Sequence, residues 1–343
     1  GFSGGEADQL RRAMTRKNPS KTMKQLAQRF VAGAMANGLT HEEATDVFGQ
    51  LAGFASYGFC RSHAAAFALL AYETMWLKVY YPAEFYTALL NHQPMGFYSP
   101  AVLLGDARRH NVEIRIPDIN RSADECLLEG DAIRLGLRYI KHVGPGARRQ
   151  ILDARVDKPF QTLRDVCNRT RLPQKVIASL IRAGALDSLK QEQRQLLWEL
   201  NTLDYRPQSF DLENDLEVIT LPALTESEGI NWRLDLLGMT PGDHPLRLFR
   251  DYLNEKGILS ANQIARTRDG RVVKVAGQVV IRQRPQTAKG HMFITLEDET
   301  GLVNLIIRPK LFEKRKDALR YENLIGAVGR VQRENEVCSL LVF

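Results

Sequence analysis

RVVKVAGQVVI (271–281), HMFITLED (291–298), LVNLIIR (302–308), PKLFEKRKDAL (309–319), NLIGAVGRVQ (323–332) and EVCSLLVF (336–343) decide the fold of the C-terminal part of this 343-residue chain. In five of these runs apolar and polar residues alternate over strand-like lengths, which predicts β-strands. The fourth run, PKLFEKRKDAL, reads as a helix. Its place between the third and fourth strands constrains the architecture.

Five strands with a helix between the third and fourth is the order of an OB-fold barrel, expected here over 266–343. Such barrels bind single strands along strands 2 and 3 and with the loop joining strands 1 and 2. That loop is IRQRPQTAKGH (281–291), carrying Arg282, Arg284, Lys289 and His291, and Phe293 stands on the next strand where a base could stack. In the other reading Phe293 is core and the loop a solvated hairpin tip. The placement of the charges favours single-strand DNA contact by Arg282, Arg284, Lys289 and Phe293.

Working outward, IKHVGPGARRQIL (140–152) has an apolar residue, Gly144, Gly146 and then helical spacing. This is a helix-hairpin-helix arrangement. Two glycines allow a tight turn whose N–H groups, at a helix N-terminus, face a phosphate. Lys141, Gly144, Gly146, Arg148 and Arg149 are the expected contacts to a duplex backbone, and such contacts position a protein without reading sequence. A plain helix turn with a glycine C-cap is the competing account. A related pair, LPQKVIASLIRAGALDSL (172–189), strengthens the hairpin reading. Between the hairpins and the barrel, the stretch from Pro207 to Trp232 has no basic residue but carries Asp211, Glu213, Asp215, Glu217, Glu226 and Glu228. It reads as an acidic connector, placed at 206–265.

The first 110 residues read as helical. Leu26, Phe30, Val31 and Met35 fall at helical spacing, Gly38 ends that helix, and Thr40 with Glu43 forms a capping box for the next. A third helix, from about Ser62 to Pro82, is apolar on most faces and is expected to be buried. From Val112 the pattern turns to short strands, IRIPDIN and CLLEGDAIRLGL, with a hairpin turn at Glu129-Gly130-Asp131. Short helices return over 138–200. The fold class is therefore multidomain α+β.

The formal net charge of +7 points weakly to a polyanionic partner, and its distribution says more. Residues 1–30 hold seven basic side chains against Glu6 and Asp8, and residues 266–343 hold 15 against nine acidic ones. Arg11, Arg12, Arg16, Lys17 and Arg61 form a basic group that could bind triphosphate or phosphodiester oxygens, or be a solvated face. His63 is either functional or, as a lone histidine at a helix start, a cap or a packed residue. Four cysteines lie far apart without a C-x-x-C pair, which argues against a zinc ribbon or a disulfide framework and for a reducing, cytoplasmic setting. The run Ala64–Tyr72 stops at Glu73, too short for a membrane span. Catalysis lacks a centre: Asp118 in PDIN cannot supply a metal-binding pair, Glu297, Asp298 and Glu299 read as turn residues, and GFSGGE lacks the Lys-Ser/Thr of a phosphate loop. No catalytic residue and no metal ligand are assigned. The chain begins without methionine and ends inside a strand-like run, so it reads as a fragment.

GGEADQLRRAM, YGFCRSHAAAFALLAYETMWLKVYYPAEFYTALLN, the VGPG hairpin and HMFITLEDETGLVNLIIRPK, in this order, resemble the bacterial family C DNA polymerases over nearly the whole chain. NHQPMGFYSPAVLLGDARRHNVEIRIPDIN (91–120) is most similar to the error-prone branch; a replicative alpha subunit and a stand-alone single-strand-binding adaptor are the alternatives. The resemblance implies that 1–110 is the fingers region, 111–205 a tandem helix-hairpin-helix and 266–343 the OB domain. It also implies that Arg11, Arg12, Lys17, Arg61 and His63 approach the incoming deoxynucleoside triphosphate and template. The family's PD-x-D-x-D palm signature is absent, so the resemblance implies a C-terminal portion without the palm, inactive alone and binding no cofactor, of a parent that uses Mg2+. The implied partners are primer-template and single-stranded DNA, the sliding clamp and a Y-family-like accessory protein, with no membrane. The implied setting is translesion synthesis and damage-induced repair mutagenesis.

Overall fold

The structure is a computed structural model that describes residues 1–14, 20–53, 61–96, 98–203, 221–242, 244–285, 288–334 and 337–343. It divides into two compact units, Gly1–Tyr80 and Tyr81–Phe343.

The first unit is helical, as its sequence predicts: α1 (Gly4–Met14), α2 (Ser20–Ala36), α3 (His41–Gly53) and α4 (Arg61–Tyr80). Leu10, Ala13, Met23 and Phe48 form its small core, with Leu26 and Phe30 packed against them. Gly38 follows α2 at φ 99°, a left-handed conformation that glycine adopts without a Cβ clash. The expected box opens α3: the Thr40 N–H donates to Glu43 Oε2 at 2.8 Å and the Glu43 N–H to Thr40 Oγ1 at 3.3 Å. The expectation for α4 needs correction. It has no buried residue, and Phe67, Leu69, Leu70, Tyr72, Met75 and Trp76 are all exposed. Its apolar side chains lie all round the helix, whereas packing against a single neighbour would need only one stripe.

The second unit begins earlier than the expected boundary at 110. Helices α5 (Pro82–Asn91) and α6 (Pro100–Arg109) pack into the core of the hairpin region through Ala83, Tyr86, Leu90, Leu103, Leu104 and Ala107. A three-stranded sheet follows, with β1 (Ile114–Arg115) parallel to β3 (Ala132–Arg134) and β2 (Leu127–Glu129) antiparallel to it. Only two residues of IRIPDIN are strand. The turn between β2 and β3 falls on Gly130 at φ 64°, where it was expected. Helices α7 (Pro145–Ala154), α8 (Leu163–Thr170), α9 (Gln174–Arg182) and α10 (Gln193–Thr202) complete the hairpin body, whose core includes Ile133, Leu135, Ile151, Phe160 and Leu180.

From residue 221 onward the expected connector is built of regular elements. Residues 204–220, which carry Asp211, Glu213, Asp215 and Glu217, lie outside the described residues. Downstream, Glu226 and Glu228 sit in the first turn of α11 (Glu226–Leu237), where carboxylates offset the helix dipole and Glu228 completes a capping box with Thr225. Leu236, Leu237 and Met239 enter the hairpin core. Then α12 (Arg250–Glu255), β4 (Ile258–Leu259) and α13 (Ala261–Ala265) lead to the barrel; β4 pairs in parallel with the next strand, and Ala261 and Ile264 lie in the barrel core. The barrel's packed unit thus starts before 266.

The barrel itself matches expectation. Strands β5 (Val272–Gln283), β6 (Met292–Asp298), β7 (Gly301–Ile307), β8 (Leu324–Glu334) and β9 (Val337–Val342) close in the order β5-β6-β7-β9-β8-β5. Closure leaves no free strand edge among these five. Helices α14 (Pro309–Lys314) and α15 (Lys316–Tyr321) fill the predicted place between the third and fourth barrel strands, anchored by buried Phe312 and Leu319. Among the described residues no helix is long and apolar enough to cross a membrane.

Candidate nucleic-acid interface

The first hairpin is built on the buried residues Ile140, Val143 and Ile151, which flank the turn and start of α7. His142, at φ 69°, makes the bend. Gly144 is the N-cap, Pro145 occupies the first helical position, and Arg148 N–H closes the first turn on Gly144 O at 3.0 Å. Proline suits that position because its missing N–H would have no intrahelical partner. The N–H groups of Gly146 and Ala147 find no acceptor among the described residues. Neither glycine is demanded by packing: a Cβ at Gly144 or Gly146 would meet nothing within 4 Å. Gly144 also has an ordinary φ of −70°. The free N–H groups and the open space therefore face outward together, the geometry of an anion cradle.

The flanking charges separate into two kinds. Lys141 and Arg149 are exposed, whereas Arg148 turns inward, paired with Asp124 and donating to Val143 O at 2.9 Å. The second hairpin is closed. Gly184, at φ 82°, leaves room for Ile116, whose Cδ1 would lie 2.8 Å from an added Cβ, and Ala185 O accepts the Ile119 N–H at 2.7 Å.

On the barrel, the pairing register aligns Phe293 of β6 with Ile306 of β7, Leu341 of β9 and Arg330 of β8. Phe293 is 37% exposed, so it is not core. Arg330, exposed at the other end of the row, borders an open groove of about 730 Å³ shared with Ile306 and Gln332. An aromatic ring, two aliphatic side chains and a cation across four strands suit a stacked base and a phosphate. Ile306, Leu341 and Arg330 were not singled out from sequence, because only the register brings them into line with Phe293.

The loop basics behave differently from expectation. Arg282 donates to Leu319 O at 3.0 Å and to Glu322 O, capping the last carbonyls of α15. The Arg284 guanidinium lies 4.0 Å from the Phe312 ring centroid and 3.6 Å from Glu313. Both hold the helical segment against the loop. Lys289, at φ 48°, is exposed, and His291 Nδ1 lies 3.0 Å from Ala288 O.

In the front unit, Arg11 and Arg12 both pair with Asp8, at 2.8 and 2.7 Å, and remain largely exposed. Arg61 is exposed at the start of α4, and the His63 ring packs on Phe67 with centroids 4.4 Å apart. Arg16 and Lys17 lie outside the described residues.

The carboxylates read as structural are committed to the fold. Asp118 accepts the Asn120 N–H at 2.8 Å, and Asn120 in turn bonds the Phe160 backbone in both directions. Asp298 accepts from the N–H groups of Ala261, Thr300 and Gly301. Glu299 pairs with Arg250, and Glu297 with Arg109. Burial pushes the Glu297 carboxyl above its ordinary pKa despite Arg109. These groups do not fit a two-metal centre, which needs carboxylates converging on open coordination positions.

Buried His244 accepts the Leu246 N–H on Nδ1 at 3.2 Å, so its neutral ring carries the proton on Nε2, and burial lowers its pKa to about 4.

Residues 111–196 match the sequence profile of the helix-hairpin-helix motif, and residues 269–342 match that of the OB-fold nucleic acid binding domain. An error-prone DNA polymerase 2 of Rhizobium meliloti is 40% identical over 99% of this chain and 33% of its own length. The chain is homologous to the error-prone DNA polymerases. Error-prone DNA polymerase 3 of Agrobacterium fabrum is 39% identical over the same shares, and the error-prone DNA polymerase of an Anaeromyxobacter species 38% identical over 100% of this chain and 31% of its own. The chain spans about a third of the length of these curated relatives. The error-prone polymerase homology thus runs through the helical front, the hairpin body and the barrel alike.

Proposed function

We propose that this chain is the DNA-holding portion of an error-prone DNA-directed DNA polymerase that acts in translesion synthesis and damage-induced repair mutagenesis. Supporting this reading are homology along nearly the whole chain and two surfaces suited to different forms of DNA. The observation that carries it is the first hairpin, whose two glycines serve neither packing nor backbone strain and whose N–H groups face outward. That hairpin, with Lys141 and Arg149, holds the duplex by its backbone. The barrel row from Phe293 to Arg330 holds the single-stranded template. Arg11, Arg12, Lys17, Arg61 and His63 of the fingers are the proposed contacts to the incoming deoxynucleoside triphosphate and template. The parent polymerase joins that nucleotide to a primer 3′-hydroxyl with Mg2+, which supplies a polarised attacking oxygen and charge neutralisation on the leaving pyrophosphate. The carboxylates for that ion belong to the remainder of the parent, and the fragment alone is inactive. The sliding clamp and a Y-family-like accessory protein are its proposed partners, in the cytoplasm.

Phe293→Ala tests the barrel half of this reading. Loss of one stacked base is expected to weaken binding of an oligothymidylate by about 1–3 kcal/mol, roughly 5- to 150-fold in Kd. Fluorescence anisotropy measures it, and unchanged affinity would move the strand off this face.

A further inference from the structure

Six of the 15 basic residues of 266–343 fall within one short stretch, Arg308, Lys310, Lys314, Arg315, Lys316 and Arg320, against Glu313 and Asp317. All six are exposed, and Glu313 already faces Arg284. Buried Phe312 and Leu319 fix the two helices to the barrel, so the charged sides of α14 and α15 turn to solvent.

This helical cap adjoins the β5–β6 loop. Met292, at the start of β6, pairs with Ile307, the last residue before Arg308. An added Cβ on Gly290 would lie 3.4 Å from Pro309 Cγ. Arg284 lies over Phe312, and Arg282 caps α15. Arg282 therefore acts as a strut, while Arg284, still exposed beside Phe312, joins Lys289 and the cap residues as the solvent-facing cations at this end. Phe293 stands one residue beyond Met292, at the same end of β6.

We propose that the α14–α15 cap binds the phosphodiester backbone of single-stranded DNA as the strand leaves Phe293. The proposal rests on the reading of the barrel as a single-strand binder. A strand stacked on Phe293 carries its phosphates toward the loop end, where the nearest dense positive charge is the cap. Tyr321, 71% exposed at the end of α15, sets an aromatic ring among these cations. Interleaved charge and rings suit a single strand, whose bases are free to stack, better than a duplex, whose bases are not. An anionic membrane would require an apolar face to insert beside the charges, and the exposed run from Glu313 to Ala318 has none.

The test uses the whole chain with Lys310→Gln, Lys314→Gln and Lys316→Gln combined, three exposed positions. Binding is titrated from about 50 to 200 mM salt with oligothymidylates of about 6 and about 24 nucleotides, the shorter within the reach of one barrel face. For the longer oligomer the triple variant is expected to bind about tenfold or more weakly, with a log–log salt slope shallower by about 2, from about 0.7 per lost phosphate contact. The shorter oligomer is expected to change by less than about twofold, since one barrel face accommodates it. An unchanged slope for the longer oligomer overturns the proposal. So does loss of phosphatidylserine-vesicle binding with oligothymidylate binding intact, which would assign the cap to lipid. If the unmodified chain binds neither oligomer, the barrel reading itself fails; if it binds both and the triple variant binds identically, only the cap fails.

Discussion

Gly136→Ala is expected to cost the hairpin body about 3 kcal/mol or more, near the upper end for inserting one carbon into a packed interior. The backbone at Gly136, φ −74° and ψ 156°, is open to any residue, so conformation is not the reason for glycine. Space is. An added Cβ would overlap Asp124 O and lie 2.5 Å from the Glu125 carbonyl carbon. These are backbone atoms, and they cannot swing aside as a side-chain end would. Leu137 N–H donates to Ala123 O at 2.9 Å and Arg138 N–H to Asp124 O at 3.2 Å, so the two segments are bonded where they would have to part. Leu135 and Leu137, both fully buried, would be displaced with them. Urea unfolding would show a lower midpoint with the slope retained. A loss below about 0.5 kcal/mol, the size of an ordinary surface substitution, would mean that the close approach is absent in solution.

Arg109→Met is expected to destabilise by about 3 kcal/mol at pH 8, because it strands the Glu297 carboxylate. Arg109 is the only side chain that hydrogen-bonds Glu297 among the described residues, and it also reaches Asp106 at 3.3 Å. Glu297 is 7% exposed, with Gly105 of α6 directly against its carboxyl. The pH dependence has a definite sign. Burial raises the folded-state pKa of Glu297, so the folded state binds its proton more tightly than the unfolded chain, and stability rises as pH falls through that raised value. Without Arg109 the shift grows. The variant should therefore recover much of its deficit by about pH 5, as the stranded carboxyl takes up a proton. Combining Arg109→Met with Glu297→Met should restore stability at pH 8, since paired apolar replacement of a buried ion pair is close to neutral. A deficit that is the same at both pH values would locate the damage in Arg109's packing rather than its charge.

The barrel was legible from sequence because each strand keeps its two-residue alternation and the single helical run sits between the third and fourth strands. The first hairpin was legible because V-G-P-G compresses a buried anchor, a turn and a helix start into four residues. What sequence hid was long-range partnership. Arg282 looks like a solvent-facing loop cation until Leu319 O and Glu322 O, more than 35 residues away, claim it, and Arg284, though exposed, lies over the Phe312 ring. Arg148 reads in the sequence as a phosphate contact, and Asp124, 24 residues upstream, takes it. The division between compact units falls before 110 for a similar reason: α5 and α6 have the same helical period as α1–α4, and periodicity does not say which core a helix joins. Glu226 and Glu228 looked like connector because charge composition resembles a linker, whereas their position after Thr225 marks a helix start. The dense charge of 308–320 was visible as a helix, but its alignment with the β5–β6 loop needed the Met292–Ile307 pairing.

The most direct test of the central claim is a fluorescence-anisotropy titration of the unmodified chain with a primer–template bearing a single-stranded 5′ overhang, repeated from about 50 to 200 mM salt. A chain that holds duplex by the hairpin and template by the barrel should bind with a log–log slope on the order of −3 to −6, from several phosphate contacts at about 0.7–0.9 each. It should also bind the primer–template more tightly than either the duplex or the single strand alone. Binding that ignores salt, or that is equal for all three DNAs, would contradict the account.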